Sequence, residues 1–250
     1  AKFVLDQFLQ QGGSVGWYQS ATGVDQQMKR KMRRQMGRNK QLPDVRKPLN
    51  PGLHDFFAEY GLELRQDLVL DRENALAMGM TMTQRGLARI SNPAAFTISN
   101  LDTSLPFTRD FSTLALPAPS SIQIRAAARD NETLEVFEVM KTADTARRRP
   151  EAPTSLGYQT LRQPTENEKK GPFVVAAALQ GRLPSYYDDH SLPQGVSQDQ
   201  VEQDASSNGR LLVIGSGNFY RPVQSVGYSQ RLASMGGQFF VSSIEWLVQD

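Results

Sequence analysis

Two short runs constrain the fold most: Phe173–Leu179 and Leu211–Ile214 contain almost nothing but apolar residues. A strand with one wet face alternates apolar and polar side chains, whereas an unbroken apolar strand is covered on both faces. Each run has the length of a strand, and neither approaches the roughly 18 apolar residues of a membrane-spanning helix. The pair predicts a sheet buried on both faces, and so an α/β protein with helices as the covering layers.

The N-terminal third supplies those helices. Phe3, Val4, Leu5, Phe8 and Leu9 fall on one helical face, and Gly12-Gly13 offers a left-handed stop before a strand at Ser14–Tyr18. Asn50 as N-cap, Pro51 at the first helical position, an apolar face of Leu53, Phe56, Phe57 and Tyr60, and Gly61 as terminator predict a second helix. A strand-like run, Leu62–Leu70, follows it. Residues 19–48 read as a basic insertion and 76–170 as a β- and loop-rich insertion, with short strands at Ala95–Ile98, Ile122–Ala127 and Leu134–Met140. Ser185–Asn208 reads as a polar, mobile loop. A last helix, Gln238–Val248, carries Phe240, Ile244 and Leu247 at helical spacing, with Phe239 and Trp246 widening the face.

The net charge of +2 conceals an asymmetry. Residues 29–40 hold seven basic side chains (Lys29, Arg30, Lys31, Arg33, Arg34, Arg38, Lys40) and no acid; without them the balance is 21 basic against 26 acidic, or −5. A mildly acidic body thus carries one basic segment, which argues against a general affinity for nucleic acid. Met28, Met32 and Met36 recur every fourth residue inside it. As a helix it carries a methionine stripe, suited to an anionic lipid surface or an acidic partner. The plainer reading packs those methionines on the helix's own domain or leaves a solvated basic loop.

Catalytic equipment is sparse. The chain has no cysteine, which excludes disulfides, thiolate metal sites and a cysteine nucleophile. Its two histidines, His54 and His190, each lack a second ligand at metal spacing, and Asp188-Asp189-His190 reads as a solvated loop. The turn Gly215-Ser216-Gly217-Asn218 after a buried strand begins like a phosphate-binding turn, but position 220 is Tyr220 instead of the third glycine. Ser216 lacks the flanking glycines of a nucleophile elbow. No catalytic residue, cofactor or metal site is expected. Candidate partner- or ligand-binding residues are Gly215, Ser216, Gly217 and Asn218 in the turn, and Lys29, Arg30, Arg33 and Arg34 in the basic segment.

Several blocks in order carry a family resemblance: Leu5–Gly13, Leu49–Leu53 continuing to Tyr60-Gly61-Leu62, Asp67–Asp71, Leu105-Pro106-Phe107 with Leu114–Ile124, Gly171-Pro172-Phe173, Gly209–Phe219 and Gly236–Leu247. Together they resemble the GldG-like auxiliary proteins of ABC transporters, related to a gliding-motility component and distantly to a ciliary transport domain. The resemblance implies a Rossmann- or flavodoxin-like domain at the extracytoplasmic (periplasmic) face of the inner membrane, anchored by segments outside this chain. Its implied partners are the permease and ATPase subunits and a polysaccharide, lipid or protein cargo. The family turn Gly-Asp-Ser-(Asp/Glu)-Phe stands here as Gly215-Ser216-Gly217-Asn218-Phe219, without either acid. The expected role is a non-enzymatic binding or scaffold domain, with no nucleic-acid partner. The alternative is a nucleotide or sugar sensor, or an enzyme, using the strand-end crevice near Gly215–Phe219.

Overall fold

The apolar runs pair with each other at the centre of the molecule. The computed structural model describes residues 1–36, 45–49, 52–83, 86–150, 154–155, 161, 163–201, 209–220 and 230–249. In chain order the first elements are α1 (Lys2–Gln10), β1 (Ser14–Tyr18), β2 (Thr22–Val24), α2 (Gln26–Met36), β3 (Val45–Pro48), α3 (His54–Glu59), β4 (Leu62–Leu64) and β5 (Asp67–Leu70). A hairpin follows, β6 (Ala75–Thr83) with β7 (Gly86–Ile98), then β8 (Asn100–Leu101), β9 (Leu114–Pro117), β10 (Ile122–Ile124) and α4 (Ala126–Arg129). The remainder comprises β11 (Leu134–Lys141), β12 (Arg147–Pro150), β13 (Thr154–Ser155), β14 (Lys169–Lys170), β15 (Val174–Gly181), β16 (Gly209–Ile214) and α5 (Gln230–Val248).

The central sheet runs β1-β16-β15-β11-β8. Alternate residues of β15 and β16 enter different cores. Ala176, Ala178, Leu212 and Ile214 face Phe239, Trp246 and Leu247 of α5, while Ala177, Leu179, Leu211 and Val213 face Leu9 of α1 and Phe56, Phe57 and Tyr60 of α3. Layers on both faces are why β15 and β16 tolerate no polar alternation. The α/β class is as expected. The strand directions differ from a doubly wound parallel sheet, because only β1 and β16 are parallel, while β16–β15, β15–β11 and β11–β8 are antiparallel. Strands outnumber helices, and four smaller sheets surround the centre among the described residues.

Residues 19–48 contain a ribbon, β2 paired antiparallel with β3, that carries α2 between its strands. Within 76–170, β8 and β11 join the central sheet and the others form peripheral sheets. The run read as one strand, Leu62–Leu70, is two, interrupted at Arg65-Gln66: β4 pairs with β10 and β5 with β12. Gly12 at φ 87° and Gly61 at φ 93° supply the left-handed stops after α1 and α3. Asn50 and Pro51 lie outside the described residues.

Two helix faces differ from their sequence patterns. In α1, Val4 is 69% and Phe8 48% exposed, whereas Asp6 and Gln10 are buried beside Leu9. The rotation follows from Asp6, which accepts three hydrogen bonds from Tyr60, Ser185 and Tyr186 outside the helix. In α5, which starts eight residues earlier than expected, Phe239, Ser243 and Trp246 are buried and Ile244 is exposed. Phe239 and Trp246 both pack on Phe107, at ring-centroid distances of 5.5 and 5.1 Å, and this turns the helix.

One buried ion cluster ties residues 163–168 to the strands beneath. Glu168 accepts from Arg72 at 2.9 Å and Arg149 at 2.7 Å, with its side chain 1% exposed. Burial alone raises the carboxyl's pKa, but the two guanidinium hydrogen bonds and their charges outweigh it and hold the value below the ordinary glutamate level. A folded-state pKa below the unfolded one stabilises above the unfolded value, near 4.3, and is lost as pH falls through the folded value. Thermal melts of the chain should therefore lose stability on acidification below about pH 4.5, and Glu168→Gln should flatten that dependence while lowering the melting temperature at neutral pH. An unchanged acid limb in the variant would refute this assignment.

Candidate functional site

The turn after β16 is packed from both sides. Gly215 donates its N–H to Val175 O at 2.8 Å and its carbonyl accepts from Ser120 N at 2.8 Å. Ser216 is fully buried, and its hydroxyl donates to Pro117 O at 2.8 Å. Residues 117–121 therefore occupy the space at the end of the strand. Gly217 lies against Tyr18 and Gln19, and Asn218 is the exposed member of the turn. Packing accounts for Gly215 and for Ser216.

Lys29, Arg30, Arg33 and Arg34 lie together on α2, no residue of which is buried. Arg38 and Lys40 fall outside the described residues. The two candidate sets belong to different elements; the helix faces solvent, whereas in the turn only Asn218 is exposed. Of the methionine stripe, Met28 is 38% and Met36 49% exposed, while Met32 between them is half-buried. A second exposed apolar element is the β6–β7 hairpin, where Met80 opposes Arg89 and exposed Met82 opposes exposed Leu87. Sequence reasoning placed no arm here, although the alternation of Met80 and Met82 with small residues was visible.

A groove of about 500 Å³, bordered by several charged residues, opens among α3, the β4–β5 corner, the start of α4 and β12. Its chemistry rests on three guanidiniums. Arg125 reaches Glu63 at 3.3 Å and Arg148 reaches Asp67 at 3.2 Å. Arg65 donates only to the neutral amide oxygen of Gln123, and its buried Nε has no hydrogen-bond partner among the described residues. Asp67 is buried, which pushes its carboxyl up against the opposing hydrogen bonds from Ser121 and Arg148. On the rim, burial pushes His54 down despite neighbouring Asp55, so the imidazole is neutral near pH 7. Asp55 accepts from Lys2, which with Lys2's charge holds its carboxyl below the usual range against the effect of burial. This arrangement suits recognition of an anionic oxygen through Arg65 better than proton transfer, because each acid already has a cationic partner.

His190 is also structural. Its ring stacks on Tyr186 at 4.0 Å, and Nδ1 hydrogen-bonds Tyr186 O at 2.9 Å. Asp188 closes a capping box with Ser185 on the 3-10 helix Tyr186–Asp188, so part of the expected mobile loop is folded. Among the described residues, no group of three or more His, Asp or Glu side chains is placed to hold a metal ion, and no helix is long and apolar enough to cross a membrane.

Fold and surfaces define a strand-rich α/β domain with a cationic helix, an apolar hairpin arm and a groove bordered by charged residues. The chain belongs to the family described as ABC-type uncharacterized transport system, whose model matches residues 1–241. It is thereby an auxiliary component associated with ABC transport, as the ordered motifs imply. No curated protein and no solved structure gives a significant match.

Proposed function

We propose that this chain is a non-enzymatic binding or scaffold domain of an ABC transport system, working at the extracytoplasmic face of the membrane beside the permease and ATPase. The single observation that carries the reading is family membership across residues 1–241. The disposition of the reactive side chains supports it. Asp6, Glu168 and Ser216 are buried and engaged in the fold's own hydrogen bonds, and Asp67, which lines the groove, is buried and held by Ser121 and Arg148. A Rossmann-like ancestry is compatible with the helix-covered sheet and its parallel β1–β16 pair. The cargo class is polysaccharide, lipid or protein.

Two measurements test the proposal. A reporter enzyme active only outside the cytoplasm, fused to the chain in its native context, should be active. Photo-crosslinkers on the exposed surface should capture an ABC permease, identified by mass spectrometry. A reporter active only in the cytoplasm would remove the extracytoplasmic reading, and crosslinks confined to unrelated proteins would remove the transport partnership.

A second reading, small-ligand recognition, is favoured by the groove and the unpartnered Nε of Arg65. Carboxylated or phosphorylated sugars should raise the melting temperature of the parent chain, neutral sugars should not, and Arg65→Met should abolish the shift. Equal shifts with neutral and anionic sugars would reject it.

A further inference from the structure

Helix α2 is secured at its N-terminal end, and none of its residues is buried. The Asp25 carboxylate accepts from the backbone N–H groups of Gln27 and Met28, each at 3.0 Å, and these bonds hold its pKa below the usual range although burial opposes them. Lys47 pairs with the same carboxylate at 3.8 Å, tying the cap to β3. Beyond the cap no residue of the helix is buried, and among the described residues no other element packs extensively against it. Met28, Met32 and Met36 form one stripe at a spacing of four, with Lys29 and Arg33 along one side and Lys31 along the other. The helix contains five cations and no acid.

We infer that α2 is a docking element for an anionic lipid surface, with its methionine stripe entering the headgroup boundary and its flanking lysines and arginines reaching the phosphates. The inference does not rest on the transport reading; it would hold for any role of the domain. Charge selects the occupant. The rest of the chain is net negative, yet Met28 and Met36 stay exposed and Met32 is only half-buried. A second copy would bring one cationic helix against another. An eleven-residue helix is only about 16 Å long, too short to supply the roughly 800 Å² per side of an ordinary protein interface. A nucleic acid would use the cations but leave the methionine stripe without a role. A fluid bilayer uses both: flexible apolar side chains enter it, and long basic side chains bend back to the headgroups.

Flotation of the 250-residue chain with vesicles of phosphatidylcholine alone, or mixed with phosphatidylglycerol, tests this directly. Binding is expected only with the anionic mixture, and it should weaken as salt rises. Each cation near such a surface contributes about fivefold, so Arg30→Gln/Arg33→Gln/Arg34→Gln should weaken binding roughly a hundredfold. Because the chain has no cysteine, an environment-sensitive dye can be placed uniquely at Met32→Cys or Gln27→Cys. The dye at position 32 should shift to the blue with anionic vesicles, whereas the dye at 27, on the opposite side, should not. Equal binding to both vesicle types would overturn the inference, as would anionic binding with identical dye responses at 27 and 32, which describes charge adsorption alone. Met28→Ser/Met32→Ser/Met36→Ser should keep the parent melting temperature and lose the insertion. A lowered melting temperature would mean that the stripe packs on the domain, and would also overturn it.

Discussion

Replacing Asp6 by alanine should lower folding stability by about 3 kcal/mol or more, because it strands several buried donors at once. The carboxylate is fully buried. Its Oδ1 accepts from Tyr60 Oη at 2.7 Å and from the backbone N–H of Tyr186 at 2.6 Å. Its Oδ2 accepts from Gln7 at 2.9 Å and from Ser185 Oγ at 3.0 Å. Three separate pieces, α1, α3 and the Tyr186–Asp188 turn, are therefore joined through one side chain. Burial, together with the bond to Asp6, pushes the Tyr60 phenol well above its ordinary value, so it remains a donor at any accessible pH. Removing the carboxylate leaves the phenol and the Tyr186 N–H dry and unpaired, each costing on the order of 1–3 kcal/mol, partly relieved by entering water. Asp6→Asn keeps an acceptor for that pair but turns an amide donor toward Ser185 and Gln7, so its cost should be smaller, about 1–2 kcal/mol. Denaturant unfolding of the three proteins checks the order parent, Asn, Ala. A loss below about 1 kcal/mol for alanine would mean that the three pieces are held by apolar packing alone.

Asp6 also marks the limit of what periodicity could reveal. The existence of α1, α3, β15 and β16 was legible because their signals are local: apolar spacing, glycine stops and unbroken apolar runs. The face that α1 buries was not, because apolar spacing favours Phe8 and Val4, while the structure buries Asp6 and Gln10. A carboxylate with three donors from distant residues outweighs one exposed phenylalanine, and no local pattern announces those donors. The sheet's direction was hidden for a similar reason. Whether β15 lies parallel or antiparallel to its neighbours depends on long connections, not on the run Phe173–Leu179 itself. The groove is the extreme case. Arg65, Arg125 and Arg148 come from three peripheral strands and turns, and nothing in their sequence spacing brings them together. By contrast, the cationic segment and its methionine spacing were legible locally, although the sequence left helix and solvated loop as alternatives until the structure showed α2.

Gly215→Ala should be nearly as damaging as the loss of Asp6, at about 3 kcal/mol, the upper end of ordinary overpacking costs. A Cβ there would stand 2.2 Å from Ser120 O, a backbone atom. Ser120 cannot retreat cheaply. Its N–H donates to Gly215 O, its hydroxyl donates to Asp67 O at 2.8 Å, and the same hydroxyl accepts from Ala21 N at 3.0 Å. Moving it would disturb the approach of β5, β10 and the residues before β2 to the central sheet. Gly217→Ala provides the comparison within the same turn. There the nearest atoms, Tyr18 O and Gln19 Cα, lie at 3.3 and 3.4 Å, so a few tenths of an ångström of adjustment suffices, and the cost should stay below about 1 kcal/mol. The two substitutions separate packing from binding as the reason for the glycines. If the turn serves packing, Gly215→Ala unfolds at much lower denaturant than Gly217→Ala, and both retain whatever partner contacts the parent makes once folded. If instead both variants match the parent in stability and both lose a partner, then the turn is a contact surface, and residues 117–121 must move aside to expose it.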